Sequence, residues 1–140
     1  MQEAKRMQAK GTFTTTSWDE QIYDERGAGA KLSRGHMTNQ FQGDLEGEGK
    51  LEALMSYTNA TTADFVGLER FTGRLAGRSG SFVLEEIGRF VMDQGAGRSS
   101  WRVLPGSATG GVQGVCGEDG YEWNPQRGWG ITPFTRVLRP

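Results

Sequence analysis

The chain has 140 residues, of which 35% are hydrophobic and 24% are charged, and this composition fits one globular domain with its own core. The 16 Lys and Arg nearly balance the 17 Asp and Glu, so the net charge of −1 argues against a basic surface for nucleic acid or an anionic membrane. The single cysteine excludes an intramolecular disulfide and favours a reducing, cytoplasmic location.

In chain order, the predicted elements are strands within a domain at residues 11–123, which follows a polar N-terminal segment at residues 1–10. Apolar and polar residues alternate in seven segments, which are Gly11–Trp18, Lys31–Leu45, Lys50–Tyr57, Asp64–Phe71, Gly80–Phe90, Arg98–Leu104 and Gly117–Trp123. The acidic stretch 18–25 is predicted to be a solvated loop anchored by Trp18 and Tyr23. Residues 124–140 are predicted to be a tail that either docks on the outside or stays loose.

Glycine is the strong deviation in composition, with 22 residues in 140 against a usual share of about 7%. The glycines alternate with large apolar residues in short runs, which is typical of strands and turns and not of a flexible linker. Each glycine inside a helix costs roughly 1 kcal/mol of stability. We therefore expect no helix longer than two turns in the middle of the chain. No apolar run approaches the roughly 18 residues of a membrane-spanning helix.

Short connections between the strands require most neighbouring strands to be antiparallel. Long strands, glycine bends and a strand count near eight favour a single closed antiparallel barrel, because closure removes exposed edges. A β-sandwich is the alternative that the same pattern leaves open. The predicted fold class is therefore all-β, with a closed barrel of about eight strands.

One phrase of the sequence occurs twice, as Phe41-x-Gly43-x-Leu45-x-Gly47 and as Phe71-x-Gly73-x-Leu75-x-Gly77. Two copies are too few for a stacked repeat array, so we interpret the phrase as a repeated strand–turn–strand unit. In each copy a strand ends, glycines turn the chain and a new strand begins, at Leu51 in the first copy and at Phe82 in the second. If the repeat preserves geometry, Asn39 is equivalent to Glu69.

Successive strand residues point to opposite faces, so odd and even positions separate a buried face from an exposed one. In two strands the odd positions are apolar and are predicted to be buried, namely Leu51, Ala53, Met55, Tyr57, Trp101 and Val103. Two carboxylates fall on faces that are otherwise apolar: Glu69 shares a face with Phe71, and Glu86 with Phe82. Burial or a second carboxylate moves the pKa of a carboxyl group toward values useful for acid–base catalysis. Glu69 and Glu86 are therefore the predicted catalytic candidates.

The alternative reading of these carboxylates is structural. Each glutamate would meet an arginine, such as Arg34 or Arg70, or lie at the mouth of the barrel, and a bulge would turn either one outward. The only histidine, His36, shares its face with polar residues and is expected in solvent. With one histidine and one cysteine, neither a metal site nor a cofactor is predicted.

Longer phrases of the chain resemble one family. They are Gly11-Thr12-Phe13 with Ser17-Trp18-Asp19-Glu20, the run from Phe41 to Gly49, the run from Phe65 to Gly73, the run from Gly77 to Leu84, Trp101-x-Val103-x-Pro105-Gly106-Ser107, and Gly120-Tyr121-Glu122. Together they resemble the bacterial domain-of-unknown-function family 3224 over about residues 10–123. The resemblance implies an eight-stranded antiparallel barrel similar to that of allene oxide cyclase, but no catalytic residue, because a fold does not determine a function. Relatives often carry a histidine where this chain has Glu85-Glu86, so a site using that histidine is altered here.

Two functions are predicted from this pattern. In the first, the barrel binds a small, mostly apolar organic molecule and isomerises or cyclises it, with Glu69 or Glu86 as acid or base. The predicted substrate-binding residues are Asn39, Phe41, Tyr57, Phe71, Phe82, Trp101 and Tyr121. In the second, side chains fill the barrel and the protein is a non-catalytic module for self-association or partner binding. The predicted partners are a small apolar ligand and a second copy of the chain, with no nucleic acid and no membrane.

Overall fold

The structure is a computed structural model that describes residues 5–124 and 128–138, with side chains for 11–115, 117 and 122. Its strands are β1 (Lys5–Gly27), β2 (Ala30–Gly43), β3 (Leu45–Tyr57), β4 (Thr62–Leu75), β5 (Arg78–Val91), β6 (Ala96–Val103), β7 (Thr109–Gly110), β8 (Cys116–Asn124) and β9 (Gly128–Leu138). In this part of the chain the single helical element is the three-residue 3-10 turn Met92–Gln94. The predicted all-β fold is confirmed, and no described helix is long and apolar enough to cross a membrane.

All strand pairings in the described residues are antiparallel. Strands β1 to β6 pair in chain order, β6 pairs with β8, β8 pairs with β9, and β9 pairs with β1. The short β7 pairs with β5. Each of the eight longer strands therefore has a hydrogen-bonded neighbour on both sides.

The first strand is much longer than predicted and contains the acidic stretch. Its pairing with β2 has three register shifts, between Thr15 and Ser17, between Ile22 and Asp24, and between Glu25 and Gly27. Each bulge moves the residues that follow it to the opposite face of the sheet. Buried and exposed residues therefore do not alternate regularly along β1. The prediction of a solvated loop at residues 18–25 is wrong, because these residues form a strand. Tyr23 is 55% exposed, so the prediction that it anchors this stretch is also wrong.

The C-terminal residues also belong to the sheet. β9 pairs with β1 over Lys5–Thr12 and with β8 over Cys116–Asn124. Residues 128–138 therefore form a strand instead of a docked or loose tail. The domain boundaries predicted at residues 11 and 123 fall inside β1 and β8.

One face of the sheet is buried and the other is exposed. Buried and exposed residues alternate along β3 from Leu51 to Tyr57, and along β6 from Ser99 to Val103. This confirms the faces predicted from odd and even positions. At one end of the core, Val112 and Val115 from the segment after β6 are buried in the same hydrophobic cluster.

The two copies of the repeated phrase lie against each other. Leu45 of the first copy is directly opposite Leu75 of the second, and both side chains are buried. The hairpins are tighter than predicted, because β3 begins at Leu45 and β5 at Arg78. The predicted starts at Leu51 and Phe82 are therefore wrong by several residues, while the assignment of both copies to strand ends is correct.

Candidate functional site

Four phenylalanine rings form a continuous aromatic row on the buried face. Ring centroids are 5.3 Å apart for Phe13 and Phe41, 5.5 Å for Phe41 and Phe71, and 5.1 Å for Phe71 and Phe82. Phe41 and Phe71 belong to β2 and β4, and they meet across β3 because Gly49 lies opposite Phe71. A Cβ on Gly49 would lie 2.8 Å from Phe41 Cε1, so any side chain there would disturb the contact between the rings.

Glu69 lies beside this aromatic row and is 1% exposed. Its Oε2 accepts a hydrogen bond from Asn39 Nδ2 at 2.8 Å, and Asn39 Oδ1 accepts one from Thr15 Oγ1 at 2.7 Å. A Cβ on Gly49 would overlap Glu69 Oε2, so the glycine provides the space that the carboxylate occupies. The positions that the repeat makes equivalent, 39 and 69, are therefore in direct contact.

Glu86 is the second buried carboxylate and is 0% exposed. The register of β4 and β5 places Gly67 opposite Glu86 and Leu84 opposite Glu69. The two glutamates are thus diagonal neighbours on one face, a relation in which residues of an antiparallel pair lie about 7–8 Å apart. Two long side chains at that separation can reach the same small molecule. The structure brings both predicted catalytic residues into one site, and their catalytic role stays a prediction.

A row of small residues continues from Glu86 across the buried face. Three residues on consecutive strands lie directly opposite one another in this row, namely Gly67, Ala53 and Gly35. A Cβ on Gly35 would lie 2.9 Å from Met37 Cε and 3.5 Å from Met55 Sδ, so methionine side chains fill the space above it. Methionine is flexible and adapts to irregular gaps. The core above Gly35, three strands from Glu86, is therefore filled by side chains that can adapt their shape.

The other predicted substrate-binding residues also occupy this face. Asn39, Phe41, Phe71 and Phe82 belong to the site just described. Trp101 is 3% exposed and lies directly opposite Glu86, and Tyr57 is 6% exposed. The backbone of Tyr121 pairs with Ser99 on β6, but its side chain lies outside the described residues.

The arginines suggested as partners lie on the other face. Arg34 and Arg70 are both exposed, because their positions on β2 and β4 alternate with the buried ones. Glu69 is held by the Asn39 amide and not by an arginine. His36 is exposed as predicted, and its Nδ1 contacts Glu52 Oε1. Among the described residues, no group of three or more His, Cys, Asp and Glu could hold a metal ion.

A second polar cluster, which the sequence analysis missed, lies near the β1–β2 turn. Glu20 Oε2 accepts hydrogen bonds from Ser33 Oγ at 2.6 Å and from the Tyr57 hydroxyl at 2.8 Å. Glu20 Oε1 accepts a third from Trp18 Nε1 at 3.0 Å. Lys31 Nζ lies 4.4 Å from the centroid of the Tyr57 ring, in a cation–π contact. The cluster joins β1, β2 and β3.

The charge of Glu20 is stabilised by its surroundings. Burial raises the pKa of this carboxyl group, but its three hydrogen bonds and the charge of Lys31 outweigh burial and leave the pKa below the usual value of 4.5. Burial and the bond to Glu20 raise the pKa of the Tyr57 hydroxyl. Alternation counted from Phe13 places residue 20 on the exposed face, and the bulge after Thr15 reverses this. Residue 20 was predicted to lie in a solvated loop, and this is why the cluster was not predicted.

We expect Glu20→Gln to lower the free energy of unfolding at neutral pH by about 1 kcal/mol, allowing for the screening of a partly exposed carboxylate. The folded pKa of Glu20 is depressed, so its contribution is present above the unfolded value of 4.5 and is lost as pH falls through the folded pKa. Urea unfolding of both proteins from pH 7 downward should therefore show a difference that shrinks in acid. Glu25→Gln, an exposed change on the same strand, is the control. A difference that does not depend on pH would contradict the assigned role.

Comparisons with known proteins identify the family of this chain and a similar solved structure. A family model described as "Protein of unknown function (DUF3224)" matches residues 9–128. The chain belongs to the DUF3224 family. A crystal structure at 1.84 Å resolution of a DUF3224 protein of unknown function from Shewanella oneidensis MR-1 is similar to this chain, with a TM-score of 0.70 and 26% identity. The similarity covers 99% of this DUF3224 chain and 100% of that one. The comparison with curated proteins found no match.

Proposed function

We propose that this DUF3224 protein closes its sheet into a barrel, binds a small, mostly apolar organic molecule on the buried face, and isomerises or cyclises it by acid–base catalysis. The observation that carries the proposal is the placement of Glu69 and Glu86 as buried diagonal neighbours beside the aromatic row. The uninterrupted succession of strand pairings supports the closed barrel, in line with the resemblance to allene oxide cyclase. The single cysteine and the balanced charge favour a cytoplasmic location.

Two carboxyl groups in an apolar core lower the stability of a fold. Glu69 is hydrogen-bonded to a neutral amide, which satisfies one oxygen without cancelling a charge. A hydrophobic residue of similar size would fill the same volume with a smaller loss of stability. Residues that break the local pattern in this way are typical of functional sites. This argument supports a chemical role for the pair.

The proposed reaction moves a proton between two carbons of a carbonyl compound. The Glu69 carboxylate removes a proton from the carbon next to the carbonyl, and the electron pair of that C–H bond forms a new C=C bond. The protonated Glu86 donates its proton to the carbonyl oxygen, which gives an enol. When the carbonyl compound also has a C=C bond between its β and γ carbons, this enol is a conjugated dienol, and Glu69 returns its proton to the γ carbon. The enol oxygen gives its proton back to Glu86 as the C=O bond re-forms, and the C=C bond now joins the α and β carbons, so atoms and charge balance.

The ligand space in this proposal lies over the small-residue row Gly67, Ala53 and Gly35. The end of Leu51, which covers Gly67, and the ends of Met37 and Met55, which cover Gly35, move aside when the molecule enters, because these side chains have alternative rotamers. The aromatic row lies on the same buried face, on the other side of Glu69 from the small-residue row. An apolar carbonyl compound placed there has its polar atom next to the two glutamates and its hydrocarbon part against the phenylalanine rings.

Exchange of deuterium into cyclohexanone tests the acid–base role without knowledge of the natural substrate. In D2O, the wild-type protein should accelerate loss of the proton signals next to the carbonyl, measured by proton NMR. Glu69→Gln should reduce the protein-dependent rate by about 100-fold or more, since it removes the base and leaves a side chain of similar size. Ala53→Phe should reduce it as well, because the larger residue occupies the ligand space.

The matched control is Glu85→Gln, which changes the partly exposed neighbour of Glu86 on the outer face and leaves the buried face intact. Its exchange rate should equal that of the wild-type protein. No acceleration by the wild-type protein, or equal rates for Glu69→Gln and Glu85→Gln, would overturn the proposal. That result would favour the alternative function, a non-catalytic module whose interior is filled by its own side chains.

A further inference from the structure

A chain of two hydrogen bonds crosses the buried face from β1 to β4. Thr15 lies directly opposite Asn39, and Asn39 lies directly opposite Gly49. Because Gly49 has no side chain, Glu69 Oε2 reaches over β3 and accepts the 2.8 Å bond from Asn39 Nδ2. Asn39 Oδ1 accepts the 2.7 Å bond from Thr15 Oγ1. The chain therefore begins at a half-buried threonine and ends on a carboxylate that is 1% exposed.

Thr15 occupies a fixed place at the end of a regular stretch of pairing between β1 and β2. It shares the buried face with Phe13, and the register shifts directly after it, so that the next paired residue is Ser17. Thr16 is the extra residue of this bulge, and its Oγ1 donates a hydrogen bond to Thr38 O at 3.2 Å. Bulges re-aim the side chains beside them. Here the bulge leaves the Thr15 hydroxyl in contact with the β2 side chain opposite.

The two ends of the Asn39 amide differ chemically, and each meets the partner that it needs. An asparagine amide has a hydrogen-bond donor on one side and an acceptor on the other. An ionised carboxylate has only acceptor atoms, so the nitrogen of Asn39 faces Glu69. The oxygen of Asn39 then faces β1, where the Thr15 hydroxyl supplies a donor. Without that hydroxyl, a buried oxygen would be left unsatisfied and the amide would lose the contact that limits its rotation.

We propose that Thr15 is a positioning residue, which acts through Asn39 to fix the Glu69 carboxylate so that Oε1, and not Oε2, takes up the proton. This inference rests on the proposed acid–base function of Glu69. A hydrogen bond to a carboxylate oxygen stabilises negative charge on that oxygen, so the oxygen bonded to Asn39 is the weaker base. A base held in one orientation reacts faster than one that rotates, because less freedom is lost on the way to the transition state. Thr15 itself does not contact the substrate in this proposal.

Deuterium exchange into cyclohexanone, measured for two variants of Thr15, tests the role of its hydroxyl. Thr15→Val removes the hydroxyl and keeps the shape, whereas Thr15→Ser keeps the hydroxyl. Thr15→Val should lower the protein-dependent rate at saturating cyclohexanone by about 10-fold and leave the half-saturating concentration unchanged, because it misplaces the base and not the ligand. Thr15→Ser should recover most of the rate. Thr14→Val, the same change on the exposed face of β1, is the matched control and should have the wild-type rate.

A double variant tests whether Thr15 acts through Asn39. Asn39→Leu removes both hydrogen bonds of the chain and should lower the rate at least as much as Thr15→Val. Adding Thr15→Val to Asn39→Leu should cause no further loss, since the contact through which Thr15 acts is already gone. A purely structural role of Thr15 would instead add its own loss in both backgrounds. Urea unfolding of each variant confirms that the fold is intact.

The side-chain amide of Asn39 reports on the same contact without a substrate. In proton–nitrogen NMR, exchange of its amide protons with D2O should be at least about fivefold faster in Thr15→Val than in the wild-type protein or Thr14→Val. Equal exchange in Thr15→Val and the wild-type protein, a rate for Thr15→Ser as low as for Thr15→Val, or a further loss in the double variant would each overturn the role of Thr15 alone. An inactive wild-type protein would overturn the acid–base proposal and this one with it, so the two failures are distinguishable.

Discussion

Gly73→Ala is expected to lower the free energy of unfolding by about 3 kcal/mol or more, because the new methyl group would overlap backbone atoms of the neighbouring strand. A Cβ at residue 73 would overlap Glu46 O and lie 2.8 Å from Gly47 Cα. Both neighbours are backbone atoms of β3, which no rotamer change can move. The backbones of β3 and β4 approach each other closely at this point, where Gly47 and Gly73 are directly opposite.

The control for this variant is Gly77→Ala, four residues further along the same repeated phrase. Gly77 has a φ of 83° in the β4–β5 turn, and a Cβ there would meet nothing within 4 Å. This change should cost only the strain of a left-handed backbone, about 1–2 kcal/mol. Urea unfolding of the two variants separates steric overlap from backbone strain. Equal losses for both would show that the strands can separate at Gly73 without cost.

Gly47 and Gly73 also show why the structure of the repeated phrase could be predicted only in part from the sequence. The phrase predicts strand ends and turns, and both copies are found there. It does not predict that the second glycine of the first copy, Gly47, would lie against the first glycine of the second copy, Gly73. That contact depends on the register of β3 and β4, which is set by the whole length of both strands.

The buried faces of β3 and β6 were predictable because apolar residues alternate there mostly with polar ones. Regular alternation over a whole strand assigns each side chain to a face without knowledge of its neighbours. In β1 the same reasoning failed after Thr15, since three bulges reverse the faces and the residues between them are acidic. Bulges form where two strands must bend together, so their positions depend on the partner strand and not on the local sequence.

The candidate site shows the same division between local and non-local information. The sequence places Glu69 and Glu86 on apolar faces and makes Asn39 equivalent to Glu69. The hydrogen bond between Asn39 and Glu69 was not predicted, because it crosses β3 and needs the gap that Gly49 leaves. A residue without a side chain is the least conspicuous member of the site in the sequence, yet its position determines whether the other members meet.

Gly49→Ala should therefore affect stability through Glu69, and a double-mutant cycle can measure this. The added Cβ would overlap Glu69 Oε2 and lie 2.8 Å from Phe41 Cε1, so we expect a loss of about 2 kcal/mol. Glu69→Ala alone also destabilises the protein, because it leaves a cavity and an unsatisfied Asn39 amide. In the double variant the methyl group occupies space that the carboxylate has left. Its loss should be smaller than the sum of the single losses by about 1 kcal/mol.

The matched control for this cycle is Gly35→Ala, another change on the buried face. There the new Cβ meets the flexible end of Met37, at 2.9 Å, and should couple weakly to Glu69→Ala. Additive losses for Gly49→Ala and Glu69→Ala would mean that the carboxylate moves away from the aromatic row when it is crowded. A carboxylate with that freedom would not be held by Asn39 against a bound molecule. The cycle therefore measures, without a ligand, the positional constraint that the proposed acid–base role of Glu69 requires.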